Sequence, residues 1–179
     1  MTKNKRDLLF KRGRPLIREL VLEENGKPHK DIGYLWASYK RGGFELFPRG
    51  MTETEFFNHM KEFSERVEML IIDDFHKEYG GNMGPLCFVS VKHIGQKIEP
   101  HADVFPWATP RNILRGTVAL FQMLRYKKIG CSVTYALEKS KPFFDTVIEY
   151  GVLRYVGKIP NGDPWGRGDE YVYTVRGKK

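Results

Sequence analysis

The sequence predicts a mixed α/β domain: a central mixed sheet with helices on both of its faces and a β-hairpin at the C-terminal end. Three observations carry that expectation. Segments with strand-like and helix-like hydrophobic patterning alternate along the chain. Two helix starts are written in local chemistry, Thr52 with Glu55 three residues on, and Thr109 followed by Pro110. Two late apolar runs, residues 153–159 and 170–176, oppose each other across a Gly/Pro-rich loop.

Taken in order, residues 1–20 are a basic arm and residues 21–179 a single domain. Residues 16–22 alternate loosely and fit a short strand or a short helix. Asn25-Gly26-Lys27-Pro28 is a turn signal, because Asn and Gly tolerate the positive φ of tight turns. Residues 32–39 are aromatic-rich and read as a strand ended by Arg41-Gly42-Gly43. Thr52 and Glu55 then open a helix as a capping box, and Phe56, Met60, Phe63, Val67, Leu70 and Ile71 continue one apolar face at spacings of three and four. That helix is expected to fade by Tyr79, which makes Asp73-Asp74 with Glu78 its solvated end. Residues 86–94 and 97–104 read as two strands broken at Gly95. Thr109 is a good N-cap, and Pro110 sits at the first helical position, where a missing N–H costs nothing. Beyond it Ile113, Leu114, Val118, Phe121 and Leu124, widened by Leu120 and Met123, describe a largely buried helix. A strand over 129–137, a short helix over 139–150 closed by Gly151, and the terminal hairpin complete the chain.

At 179 residues the length suits one domain, and 41% apolar residues suffice for a core. No apolar run approaches the ~20 residues a bilayer-crossing helix needs, so no membrane association is expected. The basic start lacks the apolar stretch of a secretory signal. Cys87 and Cys131 lie in strand-like runs outside any CxxC pair and read as buried free thiols of a reducing compartment. The formal charge is +8, and Lys3, Lys5, Arg6, Lys11, Arg12 and Arg14, with Arg18 behind them, crowd the beginning. Such an arm either neutralises phosphates or an acidic protein surface, or is a solvated tail; the sequence leaves both open.

Few residues carry recognisable chemistry. Glu99 and His101 flank Pro100, two apart on a strand and so on one face, and either can accept a proton from an amine. His29, His59, His76 and His93 show no ligand spacing with the cysteines, and no metal is expected. Arg167-Gly168-Asp169 is ordinary loop chemistry. Phe105 and Trp107 beside Arg111 fit either an exposed anchor for a partner or a pair buried under a sheet edge.

From residue 97 onward the element order resembles the GCN5-related N-acetyltransferase (GNAT) fold. In that family a central strand leads into a loop and helix whose amides hold the coenzyme A pyrophosphate, followed by a strand, a helix and a closing hairpin. Phe143, Phe144, Glu149, Tyr150, Gly151 and Val152 resemble the end of the family's last helix. The run Phe105-Pro106-Trp107-Ala108-Thr109-Pro110-Arg111-Asn112, taken with Phe143-Phe144 and Tyr150-Gly151, is also similar to acetyltransferase-like proteins of tailed bacteriophages, some of them internal or head-associated. The chain departs from the enzymes in two places. The usual Arg/Gln-x-x-Gly-x-Gly/Ala loop has no counterpart glycine before Gly116. The usual acid, a Tyr four residues before the Gly of the last helix, is Val147, and Tyr150 is the nearest hydroxyl.

The resemblance therefore implies a virion-associated structural protein, in the virion and in the host cytoplasm during assembly. Its partners would be other virion proteins or packaged DNA reached by the basic arm, with self-association possible, and no cofactor is expected. The alternative is an active N-acetyltransferase using acetyl-CoA, with Thr109, Arg111, Asn112 and Arg115 on the cofactor and Glu99, His101 or Tyr150 moving protons. A third reading is a small basic DNA-binding accessory protein.

Overall fold

A computed structural model describes residues 7–44, 47–76, 80–95, 97–126 and 131–175. Lys3, Lys5 and Arg6 of the basic arm, and Glu78, lie outside the described residues. Seven strands form one sheet: β1 (Leu16–Glu19), β4 (Glu68–His76), β5 (Gly81–Ile94), β6 (Lys97–Val104), β7 (Cys131–Leu137), β8 (Leu153–Ile159) and β9 (Glu170–Val175), in the spatial order β1-β4-β5-β6-β7-β9-β8. Every neighbouring pair is antiparallel except β6 and β7, which run parallel. β2 (Glu23–Glu24) and β3 (Lys27–Pro28) make a separate small hairpin. Its turn is Asn25-Gly26, with φ of 52° and 73°, as the turn signal predicts.

The helices cover both faces. α1 (Lys30–Lys40) and α2 (Glu53–Ser64) lie on one side, where Ile32, Leu35, Phe56 and Met60 pack on Met69, Ile71, Phe88 and Phe105. α3 (Pro110–Tyr126) and α4 (Lys141–Glu149) lie on the other, where Val118, Phe121, Leu124 and Val147 pack on Leu70, Ile72, Val89 and Val91. The alternation of β4 thus feeds both cores: Met69 and Ile71 to one, Leu70 and Ile72 to the other. α3 approaches β4 closely at Gly116, where a Cβ would stand 3.2 Å from Ile72 Cγ2. Among the described residues no helix is long and apolar enough to cross a membrane.

Residues 97–104, the start of α3 at Pro110 and the terminal hairpin match the expected elements closely. Three expectations are corrected. The aromatic-rich stretch 32–39 is helix, not strand; His29 Nδ1 accepts from the Asp31 N–H at its start, and Ile32, Leu35 and Tyr39 are buried at helical spacing. The helix opened by the Thr52–Glu55 capping box ends at Ser64 instead of running toward Tyr79. The chain then enters β4, so Asp73 and Asp74 are not a solvated helix end: they are 1% and 5% exposed in the middle of the domain. Residues 16–22, expected as a short strand or a short helix, begin as a strand of the sheet. Leu16–Glu19 pairs with Asp73–Leu70, and a Cβ at Gly13 would meet the Phe75 carbonyl oxygen at 2.4 Å.

Candidate functional site

Among the described residues, β6 and β7 pair through Lys97 with Cys131 and Ile98 with Ser132. Beyond Ile98 the two strands part. β6 continues on β5 to Val104, whereas β7 takes β9 as its partner from Val133 onward. A narrow bridge crosses the opening, the Thr134 hydroxyl donating to the Pro100 carbonyl at 3.4 Å. The result is a fork in the sheet, with the turn 105–109 and the start of α3 beyond the free end of β6.

Glu99 and His101 do share one face of β6, and Asp103 joins them, paired across β5 with Lys92, Ser90 and Phe88 respectively. His101 is exposed, its Nε2 3.7 Å from the Asp103 carboxylate. Glu99 stands near Glu170 at the start of β9. Burial raises the Glu170 carboxyl above its ordinary range, and the nearby charges of Asp163 and Glu99 add to the rise. Tyr150 caps the C-terminal end of α4 and packs against the apolar core on that side. Val147, in the position of the family's acid, is fully buried in the same core. The structure therefore gathers Glu99 and His101 but supplies no hydroxyl at the position of Val147.

The turn into α3 is closed on itself. The Phe105 amide donates to the Leu86 carbonyl, Ala108 to Phe105, and Ile113 to Thr109. Thr109 Oγ1 accepts from the Asn112 amide at 3.3 Å, the N-cap that the sequence predicts. Pro106 and Pro110 have no N–H. Of the eight backbone positions 105–112, five are thus either bonded internally or lack a donor. An anion seat of the glycine-rich kind needs convergent free amides and room for close backbone approach. This turn keeps only the amides of Trp107, Thr109 and Arg111 for such a role and has no glycine, and the Trp107 ring beside it stacks on Phe105 at 4.9 Å and 4° and donates Nε1–H to the Pro85 carbonyl. Of this pair Phe105 is buried and Trp107 is 39% exposed.

The four residues expected at cofactor phosphates also divide. Thr109 is occupied by its capping role. Arg111 is exposed. Asn112 donates Nδ2–H to Asp74 at 2.8 Å. Arg115 is not a surface position: it is 2% exposed, and it donates to Asp74 Oδ1 at 2.7 Å, to the Gly13 carbonyl at 2.7 Å and to the Phe75 carbonyl at 3.1 Å. A cavity of about 300 Å³ lies beside this cluster, lined among others by Asp74, His76, Met83, Pro85, Trp107 and Asn112. Lys11, Arg12 and Arg14 are exposed, with the Arg14 guanidinium over the Phe10 ring.

Sequence reasoning missed the buried ionic clusters. Arg18 donates to both oxygens of Asp31 at 2.6 and 2.9 Å and to Asp73 at 2.7 Å. Those hydrogen bonds raise the Arg18 guanidinium above its ordinary range, led by Asp31. Burial works to raise the Asp31 carboxyl, but the hydrogen bonds from Arg18 and the Val21 N–H outweigh it and hold that carboxyl below its ordinary range. The one legible hint is the continuous apolar run Met69–Ile72, the signature of a strand buried on both faces, which places the next two residues inside as well.

Solved structures similar to this chain are N-acetyltransferases. A GNAT-family acetyltransferase from Bacillus anthracis superposes with a TM-score of 0.61 at 17% identity, over 93% of this chain and 96% of that one. A SpeG spermidine N-acetyltransferase mutant from Vibrio cholerae gives 0.62 at 9% identity, over 90% and 93%. A ribosomal-protein-alanine N-acetyltransferase from Brucella melitensis gives 0.57 at 13% identity, over 90% and 99%. No protein-family model matches the chain, and no curated protein sequence does. At these identities the likeness establishes the fold: this is a mixed α/β domain of the GNAT type.

Proposed function

We propose that this GNAT-fold chain works without acyl transfer, as a structural component of a tailed-bacteriophage virion, internal to the head or at its junctions. One observation supports the non-catalytic part: in the turn into α3, five of the eight positions 105–112 either lack an N–H or already donate it, to Leu86, Phe105 or Thr109, and none is glycine. Coenzyme A, which the fold family implies, does not fit that turn as a pyrophosphate ligand. Val147 supports the same conclusion, because a buried aliphatic side chain replaces a proton donor. The virion assignment rests on the resemblance of residues 105–112 and 143–151 to phage acetyltransferase-like proteins.

Calorimetric titration with acetyl-CoA tests the first part. The expected result is no binding tighter than about 1 mM, roughly −4 kcal/mol. A micromolar dissociation constant would overturn it. Proteomics of purified particles tests the second part, where absence of the chain would be the contrary result.

The fork between β6 and β7 favours a second reading, an acetyl-CoA-dependent N-acetyltransferase. There Arg111 would reach phosphate, and Glu99 or His101 would serve as base on an amine. Micromolar acetyl-CoA binding together with acetylation of an amine would favour this reading over the first.

A further inference from the structure

The exposed side of α1 and the turn into α3 meet in a surface whose aromatic part, Tyr34 and Trp107, neither reading uses. Lys30, Tyr34, Ala37 and Arg41 succeed one another at spacings of four, three and four, so they form a single stripe along α1. Lys30 and Arg41 are exposed, and Tyr34 is 38% exposed. The stripe runs alongside Trp107, with the Tyr34 and Trp107 centroids 6.3 Å apart and the rings tilted by 56°. Arg41 holds its guanidinium 6.0 Å from the Trp107 centroid. Arg111, four residues beyond Trp107 in the chain, is exposed as well. Among the described residues neither Arg41 nor Arg111 has an ion-pair partner.

The geometry points to a binding surface for single-stranded nucleic acid, built from Tyr34 and Trp107 as stacking platforms and Lys30, Arg41 and Arg111 as phosphate contacts. Trp107 is fixed before any ligand arrives, with one face on Phe105 and its Nε1–H on the Pro85 carbonyl. A preset ring costs less to order on binding. Its other face looks toward Arg41. A base between ring and guanidinium needs about 3.5 Å on each side, or about 7 Å in all. The present 6.0 Å separation asks an exposed, flexible arginine to move out by roughly 1 Å. Aromatic faces interleaved with arginines accept any base and track a flexible backbone, whereas paired bases in a duplex hide their faces. An acidic peptide would use the cations but leave the two rings without a role.

Fluorescence anisotropy with a fluorescein-labelled oligothymidylate of about 12 nucleotides, within the usual site sizes, tests the proposal on the full chain. Binding is expected to weaken at least about tenfold in Arg41→Glu/Arg111→Glu, and the log–log salt slope to flatten by about 1.4, for two lost phosphate contacts. Tyr34→Ala, an exposed position, is expected to weaken binding at least about fivefold by loss of one stacked base. Lys11→Glu/Arg12→Glu is expected to weaken it less than Arg41→Glu/Arg111→Glu does, through general electrostatic attraction alone. Circular dichroism melting of each variant separates lost contacts from lost fold. Absence of binding, or losses confined to the Lys11/Arg12 variant, would overturn the proposal. Equal competition by duplex of the same length or by polyglutamate would do the same, as would displacement by micromolar acetyl-CoA. Of these outcomes only the last bears on acetyl-CoA binding; the others leave the acetyl-CoA titration of the protein alone undecided.

Discussion

Asp73 and Asp74 are neighbours on β4, both buried, and they point to opposite faces of the sheet into two differently balanced ionic clusters. On the α3 side, Asp74 faces one buried arginine: Arg115 donates to one carboxylate oxygen, Asn112 to the other, and His76 lies 3.3 Å away. On the α1 side, two buried carboxylates share one arginine. Arg18 bridges Asp31 and Asp73, and Asn82 donates to the same Asp73 oxygen at 2.7 Å, while Asp73 Oδ1 has no hydrogen-bond partner among the described residues. The α3 cluster is matched one to one; the α1 cluster carries an extra negative charge on a partly exposed guanidinium. Both arginines also hold the segment that precedes α1, Arg18 as part of β1 and Arg115 through the Gly13 carbonyl. The lesson is that Arg115, one turn past the start of α3, is committed to the fold on its inner side. Arg111 is left as the cation of that turn.

The comparison breaks most severely at Arg115. Its side chain is 3% exposed and that of Asp74 7%. Arg115→Met removes the charge while keeping much of the volume, and leaves Asp74 buried without its counter-ion. The expected loss is about 3–5 kcal/mol in urea unfolding at neutral pH. A loss below about 1 kcal/mol would mean that Arg115 is not anchored to Asp74 in solution and is free for another ligand.

Arg18→Met is expected to cost less, roughly 2 kcal/mol, because the Arg18 side chain is 27% exposed and water screens part of its pairing. Its signature is the pH dependence. In the parent the Asp31 carboxyl is held below its unfolded value. Its contribution is present above the ordinary carboxylate range and is lost as pH falls through the depressed folded value. Without Arg18 the burial of Asp31 is less opposed, and its carboxyl moves upward. The variant then takes up a proton on folding as pH falls, which stabilises it relative to the unfolded chain. The gap between parent and variant should therefore be widest near pH 7 and narrow below about pH 4. A gap that is constant across that range would remove Asp31 from the account.

How far these features are legible in the sequence varies with how local their causes are. Thr109-Pro110 and Thr52 with Glu55 are short-range chemistry, and both helix starts follow from them. The strand 97–104 and the terminal hairpin carry their own turn residues. Residues 32–39 mislead because Tyr34, Trp36 and Tyr39 have strand propensity, although Ile32, Leu35 and Tyr39 are already spaced for a helix. The end of α2 is hidden because Ser64-Glu65-Arg66 contains neither Gly nor Pro, and the apolar positions 67, 70 and 71 prolong the helical spacing by coincidence. The fork is legible only as an element order. The roles of Asp73, Asp74 and Arg115 are the least legible: apart from the apolar run that precedes the two aspartates, nothing local marks them, and their partners lie 55 and 41 residues away in the chain.

The two asparagines sharpen the comparison at its smallest scale. Asn112 donates to Asp74 and is half-buried; Asn82 donates to Asp73 and is exposed. Hydrogen bonds to a charged group contribute about 1.5–3 kcal/mol when water cannot replace them, and less when it can. Asn112→Ala is therefore expected to cost about 1.5 kcal/mol and Asn82→Ala about 0.5 kcal/mol, both read from urea midpoints at unchanged slope. The order of the two matters more than their size. Asp74 keeps Arg115 when Asn112 is lost, so a larger cost there means that desolvation governs the α3 cluster. Asp73 keeps only the Arg18 Nε–H when Asn82 is lost, so a larger cost at Asn82 would mean that the excess charge of the α1 cluster governs instead. Asn112→Asp separates the cases further, since it sets a second carboxylate against Asp74. If that substitution is as well tolerated as alanine, Asp74 is less deeply enclosed than its 5% exposure implies, and the distinction between the two faces of β4 fails.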